Sequence, residues 1–169
     1  MTSRTALACT VDTPIGPFST VTDAGGVVLA SGWTATTADL LPLVSPSLRP
    51  TEIDIRPDLG EVSKAVLAYH DGDLAAVAEI PVRQRSGPFR QHAWDVLRDV
   101  PPGRPVSYQR YAALAGRPTA VRAAAGACAY NAAALFVPCH RVLRSDGGLG
   151  GFRWGLDIKR WLLDHEARP

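Results

Sequence analysis

Three cysteines occur in the chain, Cys9, Cys128 and Cys139, and one of them stands beside groups that would make it reactive. Cys139 is followed at once by His140 and Arg141, inside the run Leu135-Phe136-Val137-Pro138-Cys139-His140-Arg141-Val142-Leu143. A lone cysteine is more often a small buried core residue than a nucleophile. Here an imidazole and a guanidinium supply the polar, cationic surroundings that raise the thiolate fraction. The chemistry on offer is attack by sulfur. The apolar run predicts a strand leading into Pro138, with pairing weakened where proline has no N–H. Successive side chains on a regular strand face opposite ways, so Cys139 and His140 should not touch. Either the backbone is irregular after Pro138, or a water carries the proton between them; a protease-type Cys–His pair fits poorly. Zinc is also disfavoured, because Cys128, Cys139 and His140 lack ligand spacing and a fourth group.

Several elements must position this stretch. Apolar residues at 89, 93, 94, 97 and 100 predict a helix from Phe89 to Val100, stopped by Pro101-Pro102. Ser107 is placed to cap a short helix carrying Tyr108, Tyr111 and Leu114, which Gly116 would end. After the Gly116–Pro118 turn, Thr119 is placed to cap a second helix from Ala120 to about Tyr130. Two helices joined by a short Gly-containing turn make a helix-turn-helix candidate. The second helix sets one cation, Arg122, among small residues, so its backbone can approach another surface closely. Tight helix packing is one reading of it. The other is a helix pressed into a DNA groove with Arg122 inserted into the base stack.

Upstream, the segments 6–11, 18–21 and 27–30 are short β-favouring runs separated by Thr13-Pro14-Ile15-Gly16-Pro17 and Gly25-Gly26. They predict an antiparallel hairpin or meander. Four prolines between residues 42 and 60 predict a loop-rich connection, and residues 60–74 an amphipathic helix. Nothing in this half clusters reactive groups. Gly87-Pro88 closes a polar stretch that marks a domain boundary, giving a scaffold domain at 1–85 and a second domain at 86–169.

The chain has 169 residues, 46% hydrophobic and 20% charged, which excludes a disordered tail and a low-complexity filament. It has no apolar run long enough for a membrane span. The net charge of +2 hides an asymmetry: residues 1–85 sum to −4 and residues 86–169 to +6. The second half is therefore expected to face something anionic, nucleic acid included. An odd cysteine count without a CxxC pair is a poor disulfide framework. The apolar run before Asp12 and Thr13 is too short for a secretory signal. A reducing, cytoplasmic setting is expected.

Pro138-Cys139-His140-Arg141-Val142 resembles the active-site signature of the O6-alkylguanine-DNA alkyltransferases, the methylated-DNA–protein-cysteine methyltransferase family. The resemblance runs from Phe89 to Glu166. It takes in Phe89-Arg90-Gln91 with Trp94, Ser107-Tyr108-Gln109, Gly116-Arg117-Pro118 and Ala120-Val121-Arg122-Ala123. It continues through Asn131 to Gly151-Phe152-Arg153-Trp154-Gly155 and Leu162-Leu163. The resemblance implies an α/β (α+β) fold: an N-terminal ribonuclease-H-like β-sheet domain, then a C-terminal winged-helix-type domain with a helix-turn-helix. It also implies a monomer acting on double-stranded DNA from the minor groove, without membrane, cofactor or metal.

By the same resemblance, Cys139 would accept the alkyl group of O6-alkylguanine once and irreversibly, with the target base flipped out. His140 would activate the thiol through a water, and Glu166 would orient His140. Tyr108 would donate a hydrogen bond or proton to the departing guanine. Asn131 would order the turn before the acceptor. Arg122 would fill the gap left by the base, with Ala123, Gly126 and Ser145 also at the DNA. Val142, Phe152, Arg153 and Trp154 would line the substrate pocket, and Arg141 would anchor the site or tie the domains together. Departures from the family pattern include Ala132 after Asn131, Ala124-Ala125, Phe152 for a frequent Tyr, and the bulky Arg153-Trp154 pair. Trp154 is expected to narrow the pocket against adducts such as benzyl. The rival readings are a non-catalytic DNA-binding module that senses damage through Cys139, and a cysteine hydrolase.

Overall fold

A computed structural model describes residues 4–168, a mixed α+β chain. Its residues fall into two compact units. The first ends at Arg85 and includes Ala132–Phe136; the second comprises Ser86–Asn131 and the chain from Val137 onward.

In the first unit, β1 (Thr5–Thr13) and β2 (Gly16–Thr22) form a hairpin, and β2 pairs antiparallel with β3 (Val28–Gly32). The hairpin turns through Pro14-Ile15, where Thr13 Oγ1 accepts from the Ile15 N–H at 3.2 Å and donates to the Gly16 carbonyl. The second turn is held by Asp23, whose Oδ1 accepts from the Gly25 and Val27 amides at 2.9 and 3.0 Å. An aspartate gripping its own turn in this way is a stable local motif. The predicted meander is therefore present.

A fourth strand was not anticipated. β4 (Glu52–Ile55) lies parallel to β1 at the sheet edge, giving the order β3-β2-β1-β4. It sits inside the stretch expected to be a loop. The helix expected over 60–74 is shorter, α1 (Glu61–His70), because the chain turns at Asp71-Gly72, where Gly72 adopts φ 113°. Beyond it, Ala132–Phe136 docks along β3. The Ser31 amide donates to the Ala132 carbonyl and the Ser31 hydroxyl to the Ala134 carbonyl, at 2.8 and 2.7 Å. The core gathers Ala8, Phe18, Val21, Leu40, Val66 and Tyr69, with Phe18 edge-on to Trp33.

The second unit is mostly helical: α2 (Pro88–Arg98), α3 (Tyr108–Leu114), α4 (Val121–Ala129) and α5 (Leu156–Ala167). Two short parallel strands, β5 (Val106–Ser107) and β6 (Val142–Leu143), join its halves. Ser107 caps α3 as expected, accepting from the Arg110 amide at 3.0 Å. Thr119 does not cap α4. The preceding turn closes on itself, the Ala120 N–H donating to the Arg117 carbonyl, and α4 begins one residue later with no side-chain cap. Two buried polar tips knit three helices together. Trp94 Nε1 donates to the Ala127 carbonyl at 2.8 Å, and the Tyr111 hydroxyl to the Ala93 carbonyl at 2.6 Å. Both aromatics thus bury area without stranding a donor.

Candidate active site

No strand leads into Cys139. Pro138 adopts φ −83°, ψ 65°, and the Cys139 amide donates to the Val137 carbonyl at 2.8 Å. This is an inverse γ-turn, for which the proline ring presets φ. Cys139–Arg141 then form one 3₁₀ turn, with the Arg141 amide bonded to the Pro138 carbonyl. The backbone is thus irregular at the point where the sequence allowed for it. In a 3₁₀ turn consecutive side chains diverge by about 120°. Cys139 and His140 still face different partners, for a different reason than strand alternation.

His140 is completely buried. Its Nε2 lies 2.8 Å from Glu166 Oε2. Arg141 meets the same carboxylate with two prongs, Nε to Oε1 and Nη2 to Oε2, both at 2.9 Å, and its Nη1 donates to the Val100 carbonyl at 2.7 Å. All of these groups belong to the second unit, where Arg141 anchors the site. Burial alone would push the Glu166 carboxyl upward; His140 and the permanently charged Arg141 override it and hold the group well below the carboxylate range. Burial pushes His140 downward, and Glu166 only partly offsets this, while the positive charges of Arg141 and Lys159 add to the lowering. Burial thus favours the neutral imidazole. With Nε2 committed to Glu166, its buried Nδ1 is left without a protein partner.

Cys139 is buried, which raises its thiol pKa. A hydrogen bond from Asn131 and the nearby charges of Lys159 and Arg153 pull the other way. Asn131 is itself fixed, its Nδ2 donating to the Val137 carbonyl at 2.8 Å. Tyr108, half-buried at the start of α3, has its hydroxyl pushed up to about 12 by burial and by Cys128 and Cys139. It stays protonated, a donor, at neutral pH. Gly150 lies against the Tyr108 ring: its φ of 71° favours glycine, and a Cβ there would stand a tight 3.0 Å from the hydroxyl oxygen.

Lys159 was not among the anticipated residues. It is wholly buried, and Nζ donates to three backbone carbonyls, those of Val142, Leu149 and Gly151. Burial lowers its pKa, while Cys139 and Cys128 favour the charged form. The available signal was its spacing. Lys159, Leu162 and Glu166 share the buried face of α5, so two charged residues occupy an otherwise apolar stripe.

The remaining expected residues are spread around this centre. On α4, Arg122 and Ala123 are exposed and Gly126 half-buried, while Ala124 and Ala127 face the core. Ser145 is exposed in the turn after β6. Phe152 and Trp154 are half-buried. Arg153 is exposed along part of its length, yet its guanidinium binds the Ala129 and Asn131 carbonyls. Val142 is completely buried and pairs with Val106 in the two-stranded sheet. Cys128, on α4, is raised well above the usual thiol range, by burial first. Among the described residues, no group of three or more His, Cys, Asp or Glu is placed to hold a metal ion.

A buried thiol and, in the same 3₁₀ turn, a buried imidazole held by a carboxylate make Cys139 a candidate cysteine nucleophile. Comparison with known proteins narrows that class. A family model described as the DNA-binding domain of 6-O-methylguanine DNA methyltransferase matches residues 88–168. The methylated-DNA–protein-cysteine methyltransferase of Shigella flexneri is 30% identical over 159 residues, 93% of each chain. The bifunctional transcriptional activator and DNA repair enzyme Ada of Escherichia coli is 50% identical over 88 residues, 52% of this chain and 25% of that protein. The crystal structure of Mycobacterium tuberculosis OGT in complex with DNA superposes with a TM-score of 0.76 at 28% identity, covering 95% of this chain and 92% of that one. The chain spans less than half the length of several relatives it matches. It belongs to the methylated-DNA–protein-cysteine methyltransferase family.

Proposed function

We propose that this protein repairs O6-alkylguanine in duplex DNA by moving the alkyl group irreversibly to Cys139. The observation that carries the reading is the buried His140 ring, anchored through Nε2 to Glu166 and Arg141 with Nδ1 left over, next to Cys139 in one 3₁₀ turn. Nδ1 is the position from which a water can relay the thiol proton. In the reaction His140 takes that proton by way of the water, and Glu166 stabilises the imidazolium. The Cys139 sulfur then bonds to the alkyl carbon as the carbon–O6 bond breaks. Tyr108 donates a hydrogen bond or proton to the departing guanine. Lys159 and Arg153 favour the thiolate, and the Asn131 amide orders the sulfur. A thioether is not released by thiol exchange, so each molecule acts once and without a cofactor.

In this reading α3 and α4 form the helix-turn-helix of a winged-helix-type domain, and the sheet of the first unit is ribonuclease-H-like. The corresponding domains are 1–85 and 86–169. The protein approaches DNA as a monomer from the minor groove, with the exposed Arg122 and Ala123 and the neighbouring Gly126 against the duplex and Ser145 at its edge. Arg122 occupies the place of the flipped base. Phe152, Arg153 and Trp154 border the base pocket, with Val142 behind them. All three cysteines are free, which suits the reducing cytoplasm.

Intact-mass measurement after mixing with a duplex containing O6-methylguanine tests the proposal. One added methyl per molecule, located on Cys139, is expected. Repeated turnovers by one molecule overturn it.

A further inference from the structure

The segment between Gly147 and Gly155 carries Phe152 and Trp154, yet the charged end of its Arg153 is committed to α4. Nη1 donates to the Asn131 carbonyl at 3.0 Å and Nη2 to the Ala129 carbonyl at 2.5 Å. These carbonyls lie at the C-terminal end of α4 and just beyond it. Acceptors there lack intrahelical donors, and the helix dipole favours a cation. The last turn of α4 contains no basic residue of its own. Arg153 supplies that charge from a distant part of the chain. The planar guanidinium reaches two acceptors at once in a fixed geometry, which a lysine ammonium does not reproduce.

Asn131 continues the connection inward. Its backbone carbonyl is held by Arg153, its Nδ2 donates to the Val137 carbonyl at 2.8 Å, and its side chain hydrogen-bonds the Cys139 thiol. The Val137 carbonyl also accepts the Cys139 amide, in the turn that sets the sulfur. Two hydrogen-bonded links therefore separate the guanidinium from the nucleophile. Asn131 is buried, so a change in its position has no solvent to absorb it.

We propose that Arg153 is a positioning residue for the alkyl transfer: its two-pronged grip on the end of α4 fixes Asn131, and through Asn131 the Cys139 sulfur. Arg153 thereby also joins the helix proposed to meet DNA to the segment proposed to border the base, so neither shifts without the other. The inference rests on Cys139 being the alkyl acceptor.

The test uses the full chain with Arg153→Gln and Arg153→Lys, and two readouts. The first is alkylation of Cys139 by iodoacetamide without DNA, followed by peptide mass spectrometry from about pH 6 to about pH 10, with Cys9 as the internal reference. The second is methyl transfer from an O6-methylguanine duplex. Losing a pair of charge-assisted bonds should slow Cys139 alkylation in Arg153→Gln about tenfold at neutral pH and move its pH midpoint upward, with Cys9 unchanged. Arg153→Lys keeps the charge and should restore the midpoint, while methyl transfer stays about tenfold slow because one ammonium cannot hold both carbonyls. Three outcomes overturn the proposal: wild-type behaviour of Arg153→Gln, full recovery of both readouts by lysine, or equal change at Cys9 and Cys139, which marks general loosening. A wild-type protein that transfers no methyl while its iodoacetamide profile still depends on Arg153 refutes the repair reading and leaves the positioning role standing.

Discussion

Each unit buries a cysteine and a histidine, and the two settings differ in charge. In the first unit, Cys9 lies 3.1 Å from the Ser63 hydroxyl, and burial together with Asp58 raises its thiol. His70 has both ring nitrogens engaged, Nδ1 with the Val66 carbonyl at 2.8 Å and Nε2 with Trp33 Nε1 at 3.3 Å. In the second unit, burial raises Cys139 in the same way, but an amide and two cations oppose it. His140 has a carboxylate on one nitrogen and nothing from the protein on the other. A satisfied histidine fastens a core, whereas one with a spare nitrogen and a counter-ion can carry a proton. Burial is common to both sites; the pattern of satisfaction separates them.

The largest effect expected from this contrast is at the two sulfurs. Cys139→Ala should abolish methyl transfer while Cys9→Ala leaves it intact. Transfer surviving in Cys139→Ala, read by intact mass, would erase the distinction. Next comes Glu166→Gln, which keeps the shape but removes the charge that supports the imidazolium. A loss of about 10–100-fold in transfer rate is expected, in line with groups that orient a functional histidine. An unchanged rate would show that His140 needs no counter-ion.

Acid provides the third contrast. Glu166 is held below its unfolded value, so its contribution is complete above the ordinary carboxylate range and is lost as pH falls through the folded value. His140 is also held low; below about pH 6.5 the unfolded chain takes up a proton that the folded chain refuses, and stability falls. Both shifts act in the same direction. Thermal stability should therefore fall from about pH 7 to about pH 5, and less so in His140→Asn; identical pH slopes in the two proteins would remove His140 from the account. A smaller effect is expected from His70→Gln, which should cost about 1–3 kcal/mol of stability through its buried partners. Its thiol chemistry should match wild type, and a slowed transfer rate in this variant would contradict the division drawn here. Smallest is the substrate preference at Trp154. Trp154→Gly should raise the rate on benzylguanine relative to methylguanine a few-fold, about 1 kcal/mol of pocket discrimination. Equal rates on the two substrates in the parent chain would rule out a narrowed pocket.

Legibility in the sequence followed the range of the interactions. The α2 and α3 positions were readable because periodicity and the Ser107 cap are local. β4 was not, because Glu52–Ile55 is four residues long, flanked by prolines, and exists through parallel pairing with a strand far away in the chain. The Pro138 stretch read as a strand since Leu135, Phe136 and Val137 form an apolar run; the turn that displaces it depends on one hydrogen bond between Val137 and Cys139. Cys139 and His140 stood out by chemistry alone. Glu166 did not, since a carboxylate near the end of a chain is ordinarily solvated, and only family resemblance raised it. Lys159 escaped notice because lysine is rarely buried, and its partners are carbonyls that carry no side-chain signature.

The three-carbonyl grip of Lys159 has a consequence for how this segment tolerates changes in length. The ammonium ties Val142, Leu149 and Gly151 to one point, while the turn at its tip closes separately through Arg144 and Gly148. Residues inserted between 144 and 148 enlarge a solvent-facing tip and leave every acceptor in register. One residue inserted between 149 and 151 pulls a carbonyl off the ammonium and leaves a buried charge short of an acceptor. The segment is thus permissive at its end and intolerant at its base, and a single side chain on α5 draws that line.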